Sequence, residues 1–133
     1  MRIGAMATTI LVVDDDDAVR KSIAVALKHK RGFEVLEAEN GLVGLELARR
    51  QKPNLIISDV IMDNLNGFMM LESLQEDPET AQIPVIMMTT PALNAGAWKS
   101  GVAIEYLEKG FSLDELIAIV DKILKIQPTH KEN

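Results

Sequence analysis

The sequence predicts a three-layer α/β fold in which helices cover both faces of a five-stranded parallel sheet. Five short apolar runs recur along the 133 residues, and segments with helical periodicity separate them. Four of the runs are nearly continuous rather than alternating, which is typical of strands buried on both faces of a parallel sheet. The runs are Ile10–Val13, Phe33–Leu36, Leu55–Ile57, Val85–Met88 and Ile104–Leu107.

The intervening segments have the apolar spacing of amphipathic helices. Asp16 or Asp17 is available as the N-cap of the first helix, and Ser112 precedes the last and clearest one. A weak helix is also expected between Leu93 and Ser100, which makes five helices in all. The apolar positions of the other four are Val19, Ile23, Ala26 and Leu27; Leu42, Leu45 and Ala48; Phe68, Leu71 and Leu74; and Leu113, Leu116, Ile117, Val120, Ile123 and Leu124.

Length and composition fit one globular domain, predicted over 9–126, with an N-terminal extension (1–8) and a C-terminal tail (127–133). The net charge of −6 argues against direct binding to nucleic acid, which depends on basic patches. The absence of cysteine excludes disulfides and thiolate sites. No stretch approaches the roughly 18 apolar residues that cross a membrane, so a cytoplasmic protein without a membrane partner is expected.

The order of the elements places polar side chains at one edge of the predicted sheet. Five alternating strands and helices favour the flavodoxin-like strand order 2-1-3-4-5, whose ligand crevice lies at the carboxyl ends of strands 1 and 3. Asp14 and Asp15 follow the first run, Asp59 follows the third, Thr89 the fourth and Lys109 the fifth. Three carboxylates, a hydroxyl and an ammonium group are therefore expected to converge there.

This set of side chains suits phosphoryl transfer with a metal ion. Clustered carboxylates resist ionising together, and a hard divalent cation with oxygen ligands, Mg²⁺ above all, relieves that repulsion. Lys109 and Thr89 suit the oxygens of a transferring phosphoryl group. An aspartate can accept that group covalently. Asp59 is the candidate, because Asp14 and Asp15 are adjacent and better placed to hold the metal.

From about Ile10 to Leu124 the chain resembles the receiver domain of bacterial two-component response regulators. Four segments carry the resemblance in this order and spacing: ILVVDDDDAVR (10–20), PNLIISDVIMDNLNG (53–67), IPVIMMTT (83–90) and EYLEKGF (105–111). The resemblance implies a signalling switch that catalyses only its own phosphorylation and dephosphorylation. The phosphoryl group would come from a phosphohistidine on a sensor histidine kinase or a histidine phosphotransfer protein.

The resemblance also implies a metal site and a phosphoacceptor. Asp59 would accept the phosphoryl group, and Asp15, Asp59 and the backbone carbonyl of Ile61 would hold Mg²⁺. Asp14 would act on the metal through a bound water.

A conformational switch is implied as well. Lys109 and Thr89 would contact the phosphoryl group, and Tyr106 would turn inward as Thr89 moves. This movement would reshape the face made by the fourth helix, the fifth strand and the fifth helix, where a downstream protein could bind.

Several positions depart from the family pattern. Gly110 follows Lys109 at a position where the family usually has proline, the residue that tolerates a cis peptide bond. Because a non-proline cis peptide bond costs roughly 2.5–4 kcal/mol, the Lys109–Gly110 bond is expected to be trans. Ile61 and Pro91 flank the expected path of the hydrolytic water without offering a polar group, so the phosphorylated state is expected to be long-lived. The departures are Asp63 and Gly110 where proline is usual, and Thr90, followed by Pro91, where a small residue is usual.

Two alternatives use the same residues. Asp14-x-Asp16 after an apolar strand is similar to the first motif of haloacid-dehalogenase-type phosphatases, and it would make Asp14 the nucleophile. The other alternative is a receiver-like docking module that works without phosphorylation. The site of an acyl phosphate distinguishes the first alternative, and the absence of labelling would indicate the second.

Overall fold

The computed structural model describes residues 8–62, 65–90 and 105–126. These ranges contain five strands, β1 (Thr9–Val13), β2 (Glu34–Ala38), β3 (Leu55–Asp59), β4 (Val85–Thr89) and β5 (Glu105–Glu108). They also contain four helices, α1 (Asp17–Arg31), α2 (Gly41–Gln51), α3 (Gly67–Glu76) and α4 (Leu113–Leu124). The helix expected between Leu93 and Ser100 lies outside the described residues, as do Asp63, Pro91, most of the extension at 1–8 and the tail at 127–133.

The five strands form one parallel sheet in the order β2-β1-β3-β4-β5, which confirms the predicted fold. Val13 pairs in register with Ser58, and Asp59 pairs with Met88. The carboxyl ends of β1, β3 and β4 therefore lie side by side. Residues at these three ends are brought together by strand pairing alone.

The central strands are buried on both faces, as their continuous apolar runs predict. Alternate residues of β1 enter different cores: Leu11 and Val13 pack with residues of α2 and α3, while Ile10 and Val12 pack with residues of α1 and α4. The edge strand β2 is more exposed. Among the described helices, none is long and apolar enough to cross a membrane.

Side chains cap the N-termini of two helices at residues that the sequence offers for this role. Asp16 caps α1 by accepting from the backbone N–H groups of Ala18 and Val19, and Ser112 forms a reciprocal capping box with Glu115 at α4. Both predicted caps are thereby confirmed.

The predicted burial of Leu42 is wrong, because this side chain is 56% exposed. The preceding Gly41 is buried so close to the backbone of Leu65 that a Cβ atom would overlap the Leu65 carbonyl group. Successive residues of an α-helix point about 100° apart, so the buried Gly41 directs Leu42 toward solvent.

The start of α3 touches the end of β3, and this contact requires a glycine. A Cβ atom at Gly67 would overlap the carbonyl oxygen of Asp59 and would lie 2.9 Å from the terminal methyl carbon of Met87. The Gly67 N–H donates to the Val60 carbonyl at 2.9 Å, which holds the two segments together. The backbone of Asp59 is therefore fixed by close packing on α3.

We predict that Gly67→Ala lowers the free energy of unfolding by about 1–3 kcal/mol, the usual cost of overpacking a rigid contact. Chemical denaturation monitored by circular dichroism measures this change. Met69→Ala is the matched control on the same helix, since Met69 is exposed and methionine and alanine have similar helix propensities. Equal stability of the Gly67 variant and the parent would contradict the close contact.

Candidate functional site

Three carboxylates meet at the carboxyl edge of the sheet. One carboxylate oxygen from each of Asp14, Asp15 and Asp59 lies within 4.8 Å of the others. Asp14 and Asp59 are buried, whereas Asp15 is exposed. Asp14 and Asp15 directly follow β1, as predicted. Asp59 is the last residue of β3 rather than the first beyond it, because its pairing with Met88 extends the strand.

Lys109 supplies a positive charge to this cluster. Its Nζ donates to Oδ2 of Asp59 at 2.9 Å. Burial opposes the charged form of Lys109, but the hydrogen bond and the negative charge of Asp59 outweigh it and leave the pKa of Lys109 raised. The backbone N–H of Lys109 donates to the Thr89 carbonyl at 2.7 Å, so the pairing of β4 with β5 reaches this residue.

Asp14 is the most buried of the three acids. Its Oδ1 accepts from the backbone N–H of Asp16 at 2.9 Å, while its buried Oδ2 has no hydrogen-bond partner among the described residues. Burial raises the pKa of Asp14 to about 6; the Asp16 hydrogen bond opposes this rise, and the negative charge of Asp59 adds to it. Buried polar atoms in folded proteins are nearly always hydrogen-bonded, so this oxygen is a candidate ligand for a cation or a water. The all-oxygen donor set fits Mg²⁺.

The remaining predicted site residues lie around the cluster. Thr89 is the buried last residue of β4 rather than the first beyond it, and its hydroxyl donates to the Thr90 carbonyl at 3.3 Å. Tyr106 is partly buried against the core that contains α2 and α3. Ile61 is 61% exposed in the loop after β3, and the metal-binding role of its carbonyl stays a prediction.

The Lys109–Gly110 peptide bond is trans, as predicted, since the described residues contain no cis bond. Gly110 has φ of 103°, in the left-handed region that glycine enters readily. A proline, with φ fixed near −65°, cannot adopt this conformation. The loop after β5 therefore turns in a way that needs the glycine.

Sequence reasoning missed two charged residues beside the site. Arg20 is buried on α1 and hydrogen-bonds both the backbone carbonyl of Asp14 and the side chain of Glu37. A signal was present, because Arg20 precedes Ile23 by three residues and Leu27 by seven. It thus occupies the buried stripe of an amphipathic helix, where an arginine needs partners.

Asp16 bears on the phosphatase alternative. That alternative needs Asp16 as an acid/base group beside a nucleophilic Asp14. Its carboxylate instead accepts from Ala18 N–H at 2.9 Å and from Val19 N–H at 3.2 Å as the N-cap of α1. Among the described residues, Lys109 pairs with Asp59 and not with Asp14.

Comparison with known proteins identifies the family. The family model described as response regulator receiver domain matches residues 10–121. The chain belongs to this family. It is 38% identical over 117 residues to Protein PilH of Pseudomonas aeruginosa, an alignment that covers 86% of this chain and 96% of PilH. A putative response regulator from Chloroflexus aurantiacus has a TM-score of 0.81 at 30% identity, over 90% of this chain and 98% of that one.

Other relatives contain this domain as a smaller part. The chain matches 48% of the DNA-binding dual master transcriptional regulator RpaA of Synechocystis and 9% of Histidine kinase P4 of Formosa agariphila, at 34% and 38% identity. Receiver domains are two-component signalling modules, generally not enzymes, and they bind Mg²⁺ at an acidic pocket. They interact with histidine kinases and downstream effectors.

We predict that Asp14→Asn stabilises the metal-free protein at neutral pH. The pKa of Asp14 rises from 3.8 to about 6 on folding, so ionising this group opposes folding above about pH 4 and most fully above pH 6. The amide variant should gain about 1–3 kcal/mol of unfolding free energy at pH 7.5 and nothing below about pH 4.

Denaturation in the presence of a chelator at several pH values tests this expectation. Asp15→Asn is the matched control, because it removes the same charge from an exposed position and should stabilise less. A gain at pH 7.5 no larger than that of the control would show that burial of Asp14 carries no penalty.

Proposed function

We propose that this receiver domain is a phosphoryl-accepting switch in which Asp59 is the phosphoacceptor. The ion pair between Lys109 and Asp59, 2.9 Å long at a cluster of three acids, carries the proposal. Asp59 is the acid that touches the lysine, and it lies at the edge of the sheet where ligands of such folds bind. The phosphoryl donor would be a phosphohistidine on a sensor histidine kinase or a histidine phosphotransfer protein.

The transfer is a displacement at phosphorus. A carboxylate oxygen of Asp59 forms a bond to phosphorus, and the bond from phosphorus to the imidazole nitrogen breaks, with its electron pair staying on the nitrogen. Lys109 is positioned to leave the Asp59 oxygen and pair with an oxygen of the incoming group. In the hydrolysis step a water oxygen forms a bond to phosphorus and the bond from phosphorus to the Asp59 oxygen breaks, with its electron pair returning to the carboxylate. Inorganic phosphate leaves, and the water protons pass to the phosphate and to solvent.

The metal would be held by Asp15, Asp59 and the Ile61 carbonyl, with Asp14 acting through a water. When bound, Mg²⁺ offsets negative charge on the carboxylates and on the phosphoryl oxygens. This assignment is supported by the mutual approach of three acids and by Oδ2 of Asp14, which has no partner in the part of the chain that the structure describes. Their repulsion would otherwise act against an incoming phosphoryl group, which is itself negative.

The signal would leave the site through Thr89 and Tyr106. The Thr89 hydroxyl donates to the adjacent Thr90 carbonyl at 3.3 Å, a long and weak bond that a phosphoryl oxygen could replace. Tyr106 lies on β5, the strand paired with β4, and would turn inward as Thr89 moves. A downstream protein would bind the face that includes β5 and α4.

We predict that acetyl phosphate with Mg²⁺ adds one phosphoryl group per chain, detected by intact mass. Asp59→Asn should abolish the addition, since it removes the nucleophilic oxygen, and a chelator should abolish it in the parent. Asp114→Asn, a change at an exposed acid on α4, is the control and should label fully. Label that survives in Asp59→Asn and maps to Asp14 would favour the phosphatase alternative, whereas an unlabelled parent would favour the docking module.

We also predict that Ile61→Asn shortens the lifetime of the phosphorylated state. Ile61 is exposed two residues beyond Asp59, and an amide there can hold the attacking water in line with phosphorus. One added hydrogen bond of about 1 kcal/mol corresponds to roughly fivefold faster decay. The decay of phosphorylated mass after removal of the donor measures it, and Leu42→Asn, at a similarly exposed apolar position, is the control. Unchanged decay in Ile61→Asn would exclude the apolar side chain of Ile61 as a cause of a long lifetime.

A further inference from the structure

Arg20 joins three chain segments beneath the carboxylate cluster. Its side chain is only 9% exposed although it carries a full charge. A buried guanidinium needs several acceptors, and Arg20 has one for each of its nitrogen atoms. Nη1 donates to the Asp14 carbonyl oxygen at 2.7 Å, Nε to Oε1 of Glu37 at 3.0 Å, and Nη2 to Oδ1 of Asp17 at 2.6 Å.

The bond to Asp14 acts on the backbone rather than on the carboxylate. The Asp14 carbonyl belongs to the peptide unit that links Asp14 to Asp15, and a peptide unit is planar and stiff. A hydrogen bond to its carbonyl oxygen therefore restricts the orientation of the whole peptide plane, which includes the Cα atoms of both acids. The Asp14 N–H is already held by the Ala38 carbonyl at 3.0 Å, so Arg20 constrains the next unit along the chain.

Glu37 connects this contact to the sheet. It lies in β2 and pairs in register with Val12, two residues before Asp14. Arg20 therefore bridges the first turn of α1, the end of β1 and the neighbouring strand. A lysine could supply the charge but not the planar fork that reaches three separate acceptors.

We propose that Arg20 is a positioning residue, which sets the direction of the Asp14 and Asp15 carboxylates for Mg²⁺ through the peptide unit that joins them. The proposal rests on the function proposed above, because it assigns Mg²⁺ to these acids. The guanidinium of Arg20 contacts the Asp14 carbonyl, Glu37 and Asp17, and would act on the metal only through the two acids that it orients. Its effect is on how well the two ligand side chains are preorganised when the cation arrives.

Arg20→Met tests the proposal, since methionine keeps an unbranched chain and loses every donor. Groups that orient metal ligands typically change metal affinity by 10–100-fold, so we expect Mg²⁺ to bind the folded variant at least about tenfold more weakly by isothermal titration calorimetry. Acetyl phosphate labelling should need correspondingly more Mg²⁺ for half its maximal rate, while the rate at saturating Mg²⁺ stays near that of the parent.

Lys21→Met is the matched control. Lys21 also pairs with Oε1 of Glu37, at 3.1 Å, but its side chain is 63% exposed and it makes none of Arg20's contacts with Asp14. Its Mg²⁺ affinity should stay within twofold of the parent. Arg20→Lys should resemble Arg20→Met, because it keeps the charge and loses the fork. Circular dichroism at the titration temperature establishes that each variant is folded.

Mg²⁺ affinity within twofold of the parent in folded Arg20→Met, whatever its stability, would overturn the proposal and leave Arg20 a purely structural residue. If Arg20→Met does not fold, Glu37→Met is measured instead, since it removes the oxygen that accepts from Nε of Arg20: weaker Mg²⁺ binding by several-fold supports the bridge, and unchanged binding overturns it. A parent that binds Mg²⁺ but takes no phosphoryl group would refute the proposed function, and the calorimetry would still judge Arg20. A parent that binds no Mg²⁺ would overturn both.

Discussion

The mutual repulsion of Asp14, Asp15 and Asp59 is the constraint on which the rest of the structure depends. Their oxygens approach within 4.8 Å, and Lys109 offsets only part of the negative charge. At about 4 Å two like charges repel by roughly 1 kcal/mol in water and about 4 kcal/mol near a protein surface. Burial adds to this cost at Asp14, whose pKa rises to about 6. The arrangement therefore opposes folding locally and must be held by the structure around it.

Main-chain contacts hold the three acids in this arrangement. The strands β1 and β3 lie paired at the centre of the sheet with helices on both faces, so the ends that carry the acids cannot separate without opening the core. Gly67 lets α3 pack directly on the Asp59 carbonyl, and Arg20 holds the Asp14 carbonyl from α1. Neither contact touches a carboxylate oxygen. Both contacts act on the main chain, and Oδ2 of Asp14 has no hydrogen-bond partner among the described residues. A bound cation would relieve the same repulsion that the main chain withstands.

The parts of this arrangement that depend on chain direction and strand burial could be predicted from the sequence. Five apolar runs, four of them nearly continuous, located the strands, and the topology of parallel sheets then placed Asp14, Asp59 and Lys109 at one edge. Contacts between distant segments could not be predicted in this way. The exposure of Leu42 follows from how Gly41 packs on Leu65, a close approach that helical periodicity does not contain. The bridging role of Glu37 likewise depends on which helix lies beside β2.

Gly110 shows how a departure from the family pattern is accommodated. Proline after the lysine would restrict the loop, whereas Gly110 turns it through φ of 103°. The Lys109 side chain nevertheless points at Asp59, to which its Nζ donates, and the backbone N–H of Lys109 donates to the Thr89 carbonyl at 2.7 Å. The ladder between β4 and β5 therefore orients the lysine, and the loop beyond it is free to differ. The same hydrogen bond couples the two residues that would sense a phosphoryl group. A shift of the Thr89 backbone would move the base of Lys109, so the strand pair links both contacts.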